Sequence, residues 1–191
     1  MNYDPNIHHR RSIRLEGYDY SQEGLYFVTI CTENRHCLFG NITDGEMVLN
    51  EMGTIAYNEW LQTPVIRKNI GLDVFVVMPN HIHGIIIIRW GELNSPIIDS
   101  PENNGVVYEK GEFNSPLQRP YSPSQTIGSI VRGYKSSVTG KINALQHSKG
   151  IVVWQRNYWE HIIRNQQSYS TISEYIINNP TNWSTDKLYF Q

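Results

Sequence analysis

The chain has 191 residues, a length that suits one domain able to bury an adequate core without disulfides or a structural metal. Hydrophobic residues make up 39% of it and aromatic residues 12%, which excludes a disordered chain. No apolar run resembles a signal peptide or is long enough to span a bilayer, so we expect a soluble, cytoplasmic protein without a membrane partner. The two cysteines, Cys31 and Cys37, fit neither a disulfide framework nor a zinc motif, and we expect both to be reduced.

The formal net charge of −2 argues against a general nucleic-acid binder, but the charges are distributed unevenly. The segment 118–165 contains one acidic residue, Glu160, and is otherwise strongly basic. Its basic residues are Arg119, Arg132, Lys135, Lys141, Lys149, Arg156 and Arg164. A second basic run near the N-terminus includes Arg10, Arg11 and Arg14. A polyanion would suit these segments, although two ordinary solvated faces would have the same composition.

The first third of the chain predicts a strand, a hairpin and a helix. Alternating β-branched and aromatic side chains predict a strand over Leu25–Thr32, and a turn signal predicts a hairpin within Asn41–Asn50. Asn50 is a candidate N-cap for a helix over Glu51–Gln62, which Pro64 stops soon afterwards.

Two apolar runs separated by two residues then predict adjacent central strands, Leu72–Met78 and His81–Arg89. The composition changes abruptly at Trp90–Pro123, which is rich in Pro, Asn, Ser and Gly and contains the related motifs GELNSP and GEFNSP. We expect a mobile insert here, centred on residues 91–120.

The last third predicts two helices with a short strand between them. A capping-box pattern from Ser122 to Gln125 predicts a helix that continues to Leu145 with an apolar stripe along one face. A short strand is predicted over Ile151–Gln155, and Asn165 is a candidate cap for a final helix that Pro180 ends at about Asn179. Together these elements predict a single α+β domain, ferredoxin-like, with a mainly antiparallel central sheet and helices packed on it.

The sequence His81-Ile82-His83 opens one of the predicted central strands. Because side chains alternate along a strand, both imidazoles lie on one face while Ile82 points to the other, into the core. Two histidines placed in this way can reach one metal ion, but two surface histidines would give the same pattern, and a third ligand is needed.

On the last predicted helix, Tyr175 and Asn179 are four residues apart and lie on the same face. A phenol and an amide oxygen then point in the same direction. Ordinary packing at the edge of the core would also account for both residues. Tyr134, on the apolar stripe of its helix, is a distant second candidate for a reactive tyrosine, and Tyr169 lies on another face than Tyr175.

Three stretches of the chain together resemble a known family. They are VVMPNHIHGIIII, GSIVRGYKSSVTGKIN and YWEHIIRNQQSYSTISEYIINNP, preceded by an Arg-rich entry and LYFVTICTENRHCLF. In this combination the chain is similar to the REP-associated tyrosine transposases, a branch of the HUH single-tyrosine transposases. The resemblance covers nearly all of the chain except Trp90–Pro120.

The resemblance implies an enzyme, a metal-dependent single-strand DNA endonuclease and strand transferase acting near hairpin or palindromic DNA. His81 and His83 match the family's metal ligands, Tyr175 its attacking tyrosine, and Asn179 an amide ligand that many members replace with glutamine. The expected cofactor is Mg²⁺ or Mn²⁺, because a divalent ion polarises a phosphate and offsets transition-state charge. Attack by the tyrosine would leave a 5′-phosphotyrosine that stores the bond for rejoining.

The expected partner is single-stranded or hairpin DNA, bound by a nucleoid-associated monomer or homodimer. The candidate phosphate contacts are basic. They comprise Arg10, Arg11, Arg14, Arg132, Lys135, Lys141, Arg156 and Arg164. Two other hypotheses remain open: a nucleic-acid binding protein without catalysis, and a metal-dependent hydrolase that uses water instead of a tyrosine.

Overall fold

A computed structural model describes residues 22–89, 126–148 and 150–189. Arg10, Arg11, Arg14 and the predicted insert at 91–120 lie outside these ranges, as do the Ser122 capping box and Lys149. Among the described residues, no helix has the length and apolar character needed to cross a membrane.

The described strands form one four-stranded sheet and a separate hairpin. Strands β1 (Gly24–Cys31), β4 (Ile70–Met78), β5 (His81–Ile88) and β6 (Trp159–Ile163) have the order β4-β5-β1-β6 and pair antiparallel throughout. Strands β2 (Gly40–Thr43) and β3 (Glu46–Leu49) form the hairpin. With α1 after β1 and α3 before β6, the chain order is β-α-β-β-α-β, so the predicted ferredoxin-like α+β domain is confirmed.

In the described parts of the chain, four α-helices accompany the sheet: α1 (Glu51–Leu61), the short α2 (Thr63–Ile66), α3 (Ile127–Leu145) and α4 (Gln166–Ile177). Two begin as predicted, because the side chains of Asn50 and Asn165 each accept a hydrogen bond from a backbone N–H three residues on, at 2.8 Å. Helix α3 begins later than predicted. Its N-cap is Thr126, which has extended backbone angles and accepts a hydrogen bond from Ser129 N–H.

The two faces of the sheet pack against different helices. Tyr26, Val28 and Ile30 of β1 face the layer formed by α1 and α3, where they join the larger hydrophobic core. The alternate residues of β1 and β5, such as Phe27 and Ile85, face α4 in a smaller cluster. Two-residue periodicity thus divides each central strand between two separate cores.

Gly84 is needed for the close packing of the larger core. A Cβ at this position would lie 2.5 Å from Cζ2 of Trp60, a buried residue of α1. The indole ring of Trp60 therefore occupies the space beside β5 where any other residue would place its side chain. This contact holds α1 directly over the strand that begins with His81.

The strand predicted in the region 151–163 is misplaced. Ile151–Gln155 is not a strand, because only Trp154 makes a ladder contact, as an isolated bridge to Thr32. The strand lies further on, at β6, where residues of mixed polarity pair with β1. Because β6 is the edge of the sheet, its exposed side chains hide the alternation that identified the buried strands.

Candidate active site

The imidazoles of His81 and His83 lie side by side on the face of the sheet that α4 covers. Their ring centroids are 4.4 Å apart, and their exposed fractions are 0% and 2%. Ile82, between them, is fully buried in the core on the other face. The pairing of β1 with β5 places Cys31 opposite His81 and Thr29 opposite His83.

The Nδ1 atom of each histidine is held by a neighbouring polar group. Thr29 Oγ1 lies 2.8 Å from His83 Nδ1, and Asn80 Oδ1 lies 2.7 Å from His81 Nδ1. The Asn80 amide nitrogen donates to the carbonyls of Arg35 and Leu188, so its oxygen is the acceptor toward His81. His81 Nδ1 therefore carries the proton, and its Nε2 has a free lone pair.

Both imidazoles are neutral at neutral pH. Burial lowers the pKa of His81 to about 4, although the Asp186 carboxylate and the Asn179 side chain oppose that shift. Burial also lowers the pKa of His83 well below its ordinary value, with a further contribution from His81. Neutral imidazole is the form that ligates a metal ion.

Tyr175 and Asn179 approach the histidine pair from α4 and the turn that follows it. The Tyr175 hydroxyl oxygen lies 3.1 Å from His83 Nε2, and its ring lies 5.1 Å from the His83 ring. Asn179 is 1% exposed, whereas 44% of Tyr175 is exposed. The helix ends at Ile177, two residues before Asn179, yet the two side chains still converge on the same point.

Two buried polar atoms at this point have no hydrogen-bond partner within the described parts of the chain, His81 Nε2 and Asn179 Oδ1. The Asn179 side chain lies close enough to His81 to raise its pKa. Even so, His81 Nε2 and Asn179 Oδ1 do not form a hydrogen bond with each other. Each unsatisfied buried polar atom costs roughly 1–3 kcal/mol. Both atoms are electron-pair donors, so a cation placed between them would remove this cost.

Asp186 completes the site and was missed from the sequence. Its Oδ2 accepts hydrogen bonds from the Tyr175 hydroxyl at 3.1 Å and from the Asn179 amide at 2.8 Å. Burial raises the pKa of Tyr175 to about 12, and the Asp186 carboxylate adds to the shift. The residue follows a short 3-10 turn, and no periodic pattern in the sequence marks it.

The donor set fits a divalent ion only if the amide takes part. No cluster of three or more His, Cys, Asp or Glu side chains within the described residues could hold a metal ion. Two neutral imidazole nitrogens and an amide oxygen are nevertheless a set that divalent first-row transition metals accept, with further positions open. The orphaned His81 Nε2 and Asn179 Oδ1 are the atoms that indicate this fit.

The competing tyrosines have structural contacts. Tyr134 is buried, and its hydroxyl donates to the Ala56 carbonyl at 2.9 Å. The Tyr169 hydroxyl donates to Asp73 Oδ2 at 2.9 Å, in the cluster between α4 and the sheet. Neither ring is among the aromatic neighbours of His81 or His83.

The basic residues predicted to contact DNA are dispersed. Lys141 pairs with Glu59 of α1, on the side of the sheet away from α4. The Lys135 ammonium donates to the carbonyls of Gln155 and Asn157, and burial lowers its pKa to about 8. Arg132, Arg156 and Arg164 are exposed.

Comparisons with known proteins agree with this architecture. No family model matches the chain. An uncharacterized protein of Haemophilus influenzae strain Rd is 45% identical over 193 residues, which cover 98% of this chain and 97% of that protein. The two proteins belong to one family.

Among solved structures, the chain is similar to a REP-associated tyrosine transposase bound to a REP hairpin. The TM-score is 0.57 and the identity 18%, over 92% of this chain and 77% of that one. A candidate transposase from Deinococcus radiodurans gives a TM-score of 0.43 and 15% identity, over 87% of this chain and 97% of that one. The first likeness shows that the family has a transposase-like fold, and the second is too weak to carry an argument.

Proposed function

We propose that the protein is a metal-dependent single-strand DNA endonuclease and strand transferase that cuts near hairpin or palindromic DNA. One observation carries the proposal: the Tyr175 hydroxyl lies 3.1 Å from His83 Nε2, beside the orphaned His81 Nε2 and Asn179 Oδ1. A partly exposed tyrosine next to a ready set of metal-binding atoms suits nucleophilic attack on a phosphate. The hairpin held by the structurally similar transposase supports DNA as the substrate.

His81, His83 and Asn179 are the residues that would hold Mg²⁺ or Mn²⁺. When bound, the ion would polarise the scissile phosphate and offset the charge that develops during attack. The protein holds the ligands in place beforehand, because Asn80 and Thr29 orient the two imidazoles from behind. Such outer contacts fix the ring orientation and the tautomer of metal-binding histidines.

In the proposed reaction, the Tyr175 oxygen forms a bond to phosphorus while the bond from phosphorus to the 3′ oxygen breaks. The products are a 5′-phosphotyrosine and a strand whose departing 3′ oxygen takes a proton from solvent and becomes a free hydroxyl. With a pKa near 12, Tyr175 is protonated at neutral pH, so its proton must leave as the new bond forms. Asp186, which already accepts the hydrogen bond from this hydroxyl, is in position to receive it.

Strand transfer follows by the reverse reaction. A 3′ hydroxyl of another strand attacks the phosphotyrosine, the tyrosine oxygen leaves, and the phosphodiester is restored without ATP.

Arg10, Arg11 and Arg14 would form a basic arm for a hairpin stem, and we infer action on DNA of the nucleoid. Arg132, Arg156 and Arg164 keep their exposed guanidinium groups available for phosphates.

The experiment is to incubate the protein with hairpin and linear single strands, with Mg²⁺, Mn²⁺ or EDTA, and to look for a denaturation-resistant adduct. We expect a metal-dependent adduct on Tyr175, located by mass spectrometry after proteolysis. Tyr175→Phe should form none, while Tyr169→Phe remains active.

The two alternative functions give other results in the same experiment. Metal-dependent cutting that persists in Tyr175→Phe would identify a hydrolase that uses water. Tight DNA binding by the unmodified protein, with neither adduct nor cutting under any metal condition, would identify a binding protein without catalysis.

A further inference from the structure

The exposed edge of the sheet carries two aromatic side chains in a stacked arrangement. Trp159 and His161 lie on β6, with ring planes 4° from parallel and centroids 5.9 Å apart. Trp159 is 42% exposed, and His161 is exposed as well. Because stacking within the protein uses only part of each ring, a flat apolar surface remains open to solvent.

This surface lies on the same sheet face as the candidate active site. Thr29, which holds the Nδ1 atom of His83, pairs with His83 on β5 and with Trp159 on β6. The three residues form one row across adjacent strands, and strands in a sheet are about 4.8 Å apart. Trp159 is therefore two strands, or roughly 10 Å, from His83. His83 is the histidine that lies beside the Tyr175 hydroxyl.

Phe27 connects the surface to the reactive tyrosine. Its buried ring makes an edge contact with Trp159, with centroids 5.3 Å apart, and another with Tyr175, with centroids 6.2 Å apart. The Trp159 ring is thus fixed from below before any ligand arrives. A ring held in this way loses little conformational entropy when a flat ligand stacks on it.

The charges around β6 suit a polyanion. Arg156 precedes the strand and Arg164 follows it, and both are exposed. The Lys135 ammonium is anchored at Asn157, two residues before Trp159. The acidic residue of the strand, Glu160, points to the other face and accepts a hydrogen bond from Tyr158.

We propose that Trp159, supported by His161, is a stacking platform for an unpaired nucleobase next to the phosphate that Tyr175 attacks. This inference rests on the proposed function and adds a subsite to it. The platform selects for unpaired DNA, since a base within a duplex already has both faces stacked, whereas every unpaired base offers one. It requires no base-specific hydrogen bond, so it would tolerate any sequence at that position.

The test measures binding and adduct formation separately, with a metal present, on a single strand in which one abasic nucleotide is moved step by step past the cleavage position. For the parent protein, we expect one position at which loss of the base weakens binding about 5- to 150-fold, equivalent to the ~1–3 kcal/mol of one stacked base. Trp159→Ala should weaken binding of the intact strand by the same factor and no longer respond to the abasic nucleotide. Trp159→Phe should retain part of both effects.

Tyr57→Ala is the matched control, because Tyr57 is 40% exposed but lies on α1, on the other side of the sheet. It should behave as the parent does. Parent affinity in Trp159→Ala, or an abasic penalty that persists in it, would overturn the platform even if the adduct forms normally. An abasic penalty that depends on Trp159 without any adduct would leave the platform standing and overturn the proposed chemistry. A change in oligomeric state of Trp159→Ala with unaltered DNA binding would show instead that this edge contacts a second copy of the chain.

Discussion

The two faces of the central sheet are built from the same strands but are completed differently. Toward α1 and α3, residues such as Val28 and Ile82 are fully buried among apolar neighbours. Toward α4, the apolar cluster around Phe27 and Ile85 gives way at one end to the two histidines. At that end buried polar atoms stay unsatisfied and aromatic rings stay exposed.

Within a single strand, the residues that face α1 and α3 therefore serve stability, and those that face α4 near the histidines serve the proposed function. On the α1–α3 face most buried groups are apolar or hydrogen-bonded, and the buried carboxylate, Glu59, is paired with Ser137 and Lys141. One exception among the described residues is the indole N–H of Trp60, which has no partner. The α4 side also has unpartnered atoms, Ser173 Oγ on the helix and the pair His81 Nε2 and Asn179 Oδ1 at the site. What distinguishes the pair is its chemistry: a cation would satisfy two neighbouring electron-pair donors, whereas the N–H of Trp60 has no lone pair to offer a metal.

The largest effects should come from adjacent residues of β5. His83→Ala removes one proposed ligand, and we expect adduct formation to fall by more than about 100-fold, because a bound metal ion contributes several kcal/mol to the reaction. Ile82→Ala should leave that chemistry intact but lower the free energy of unfolding by about 2–5 kcal/mol through the cavity it creates.

Adduct yield and urea denaturation measure these two quantities on the same preparations. The division of stability and chemistry between the two faces is contradicted if Ile82→Ala loses its activity while still folded. It also fails if His83→Ala retains full metal-dependent cutting.

A smaller effect should follow from Thr29→Val, which keeps the shape of the side chain and removes the hydroxyl that holds His83 Nδ1. Loss of such a contact typically weakens metal binding about 10- to 100-fold. Titration of Mn²⁺ against the rate of adduct formation should therefore require more metal, with the maximal rate less affected. Thr29→Ser, which retains a hydroxyl, should restore most of the metal affinity; equal defects in both variants would contradict the orienting role.

Tyr134→Phe should change stability and not activity, the opposite of what is expected at Tyr175. The variant loses the hydrogen bond from the buried hydroxyl to the Ala56 carbonyl, worth about 0.5–1.5 kcal/mol. Thermal denaturation should show a modest fall in Tm, and adduct formation should remain at the parent level. A loss of adduct in a folded Tyr134→Phe would mean that the wrong tyrosine has been assigned.

The sequence predicted the features that depend on local pattern. Alternation placed His81 and His83 on one face, and side-chain caps marked the start of two helices at Asn50 and Asn165. Features that depend on pairing between distant segments could not be predicted from local sequence pattern. Asp186 lies in a loop without periodicity, and only the turn after Pro180 brings it to Tyr175.

The edge strand β6 was missed for a related reason. Its exposed Trp159 and His161 interrupt the alternation that an amphipathic strand shows, and the nearby run Ile151–Gln155 looked more like a strand. Only the register with β1 identifies β6. The same exposed aromatic residues that concealed the strand are those assigned here to DNA binding.

The smallest effects should distinguish basic residues on the two sides of the sheet, although the sequence grouped them together. Arg156 is exposed beside β6, whereas the Lys141 ammonium is engaged by Glu59 of α1. If Arg156 contacts a phosphate, Arg156→Ala should weaken binding to all single strands similarly and reduce the slope of log affinity against log salt by about 0.7. Lys141→Ala should leave that slope unchanged and instead lower the Tm, because Glu59, only 6% exposed, loses its cationic partner. Binding isotherms at several salt concentrations decide between the two sides: a reduced slope in Lys141→Ala with none in Arg156→Ala would place the DNA on the α1–α3 side, away from Tyr175.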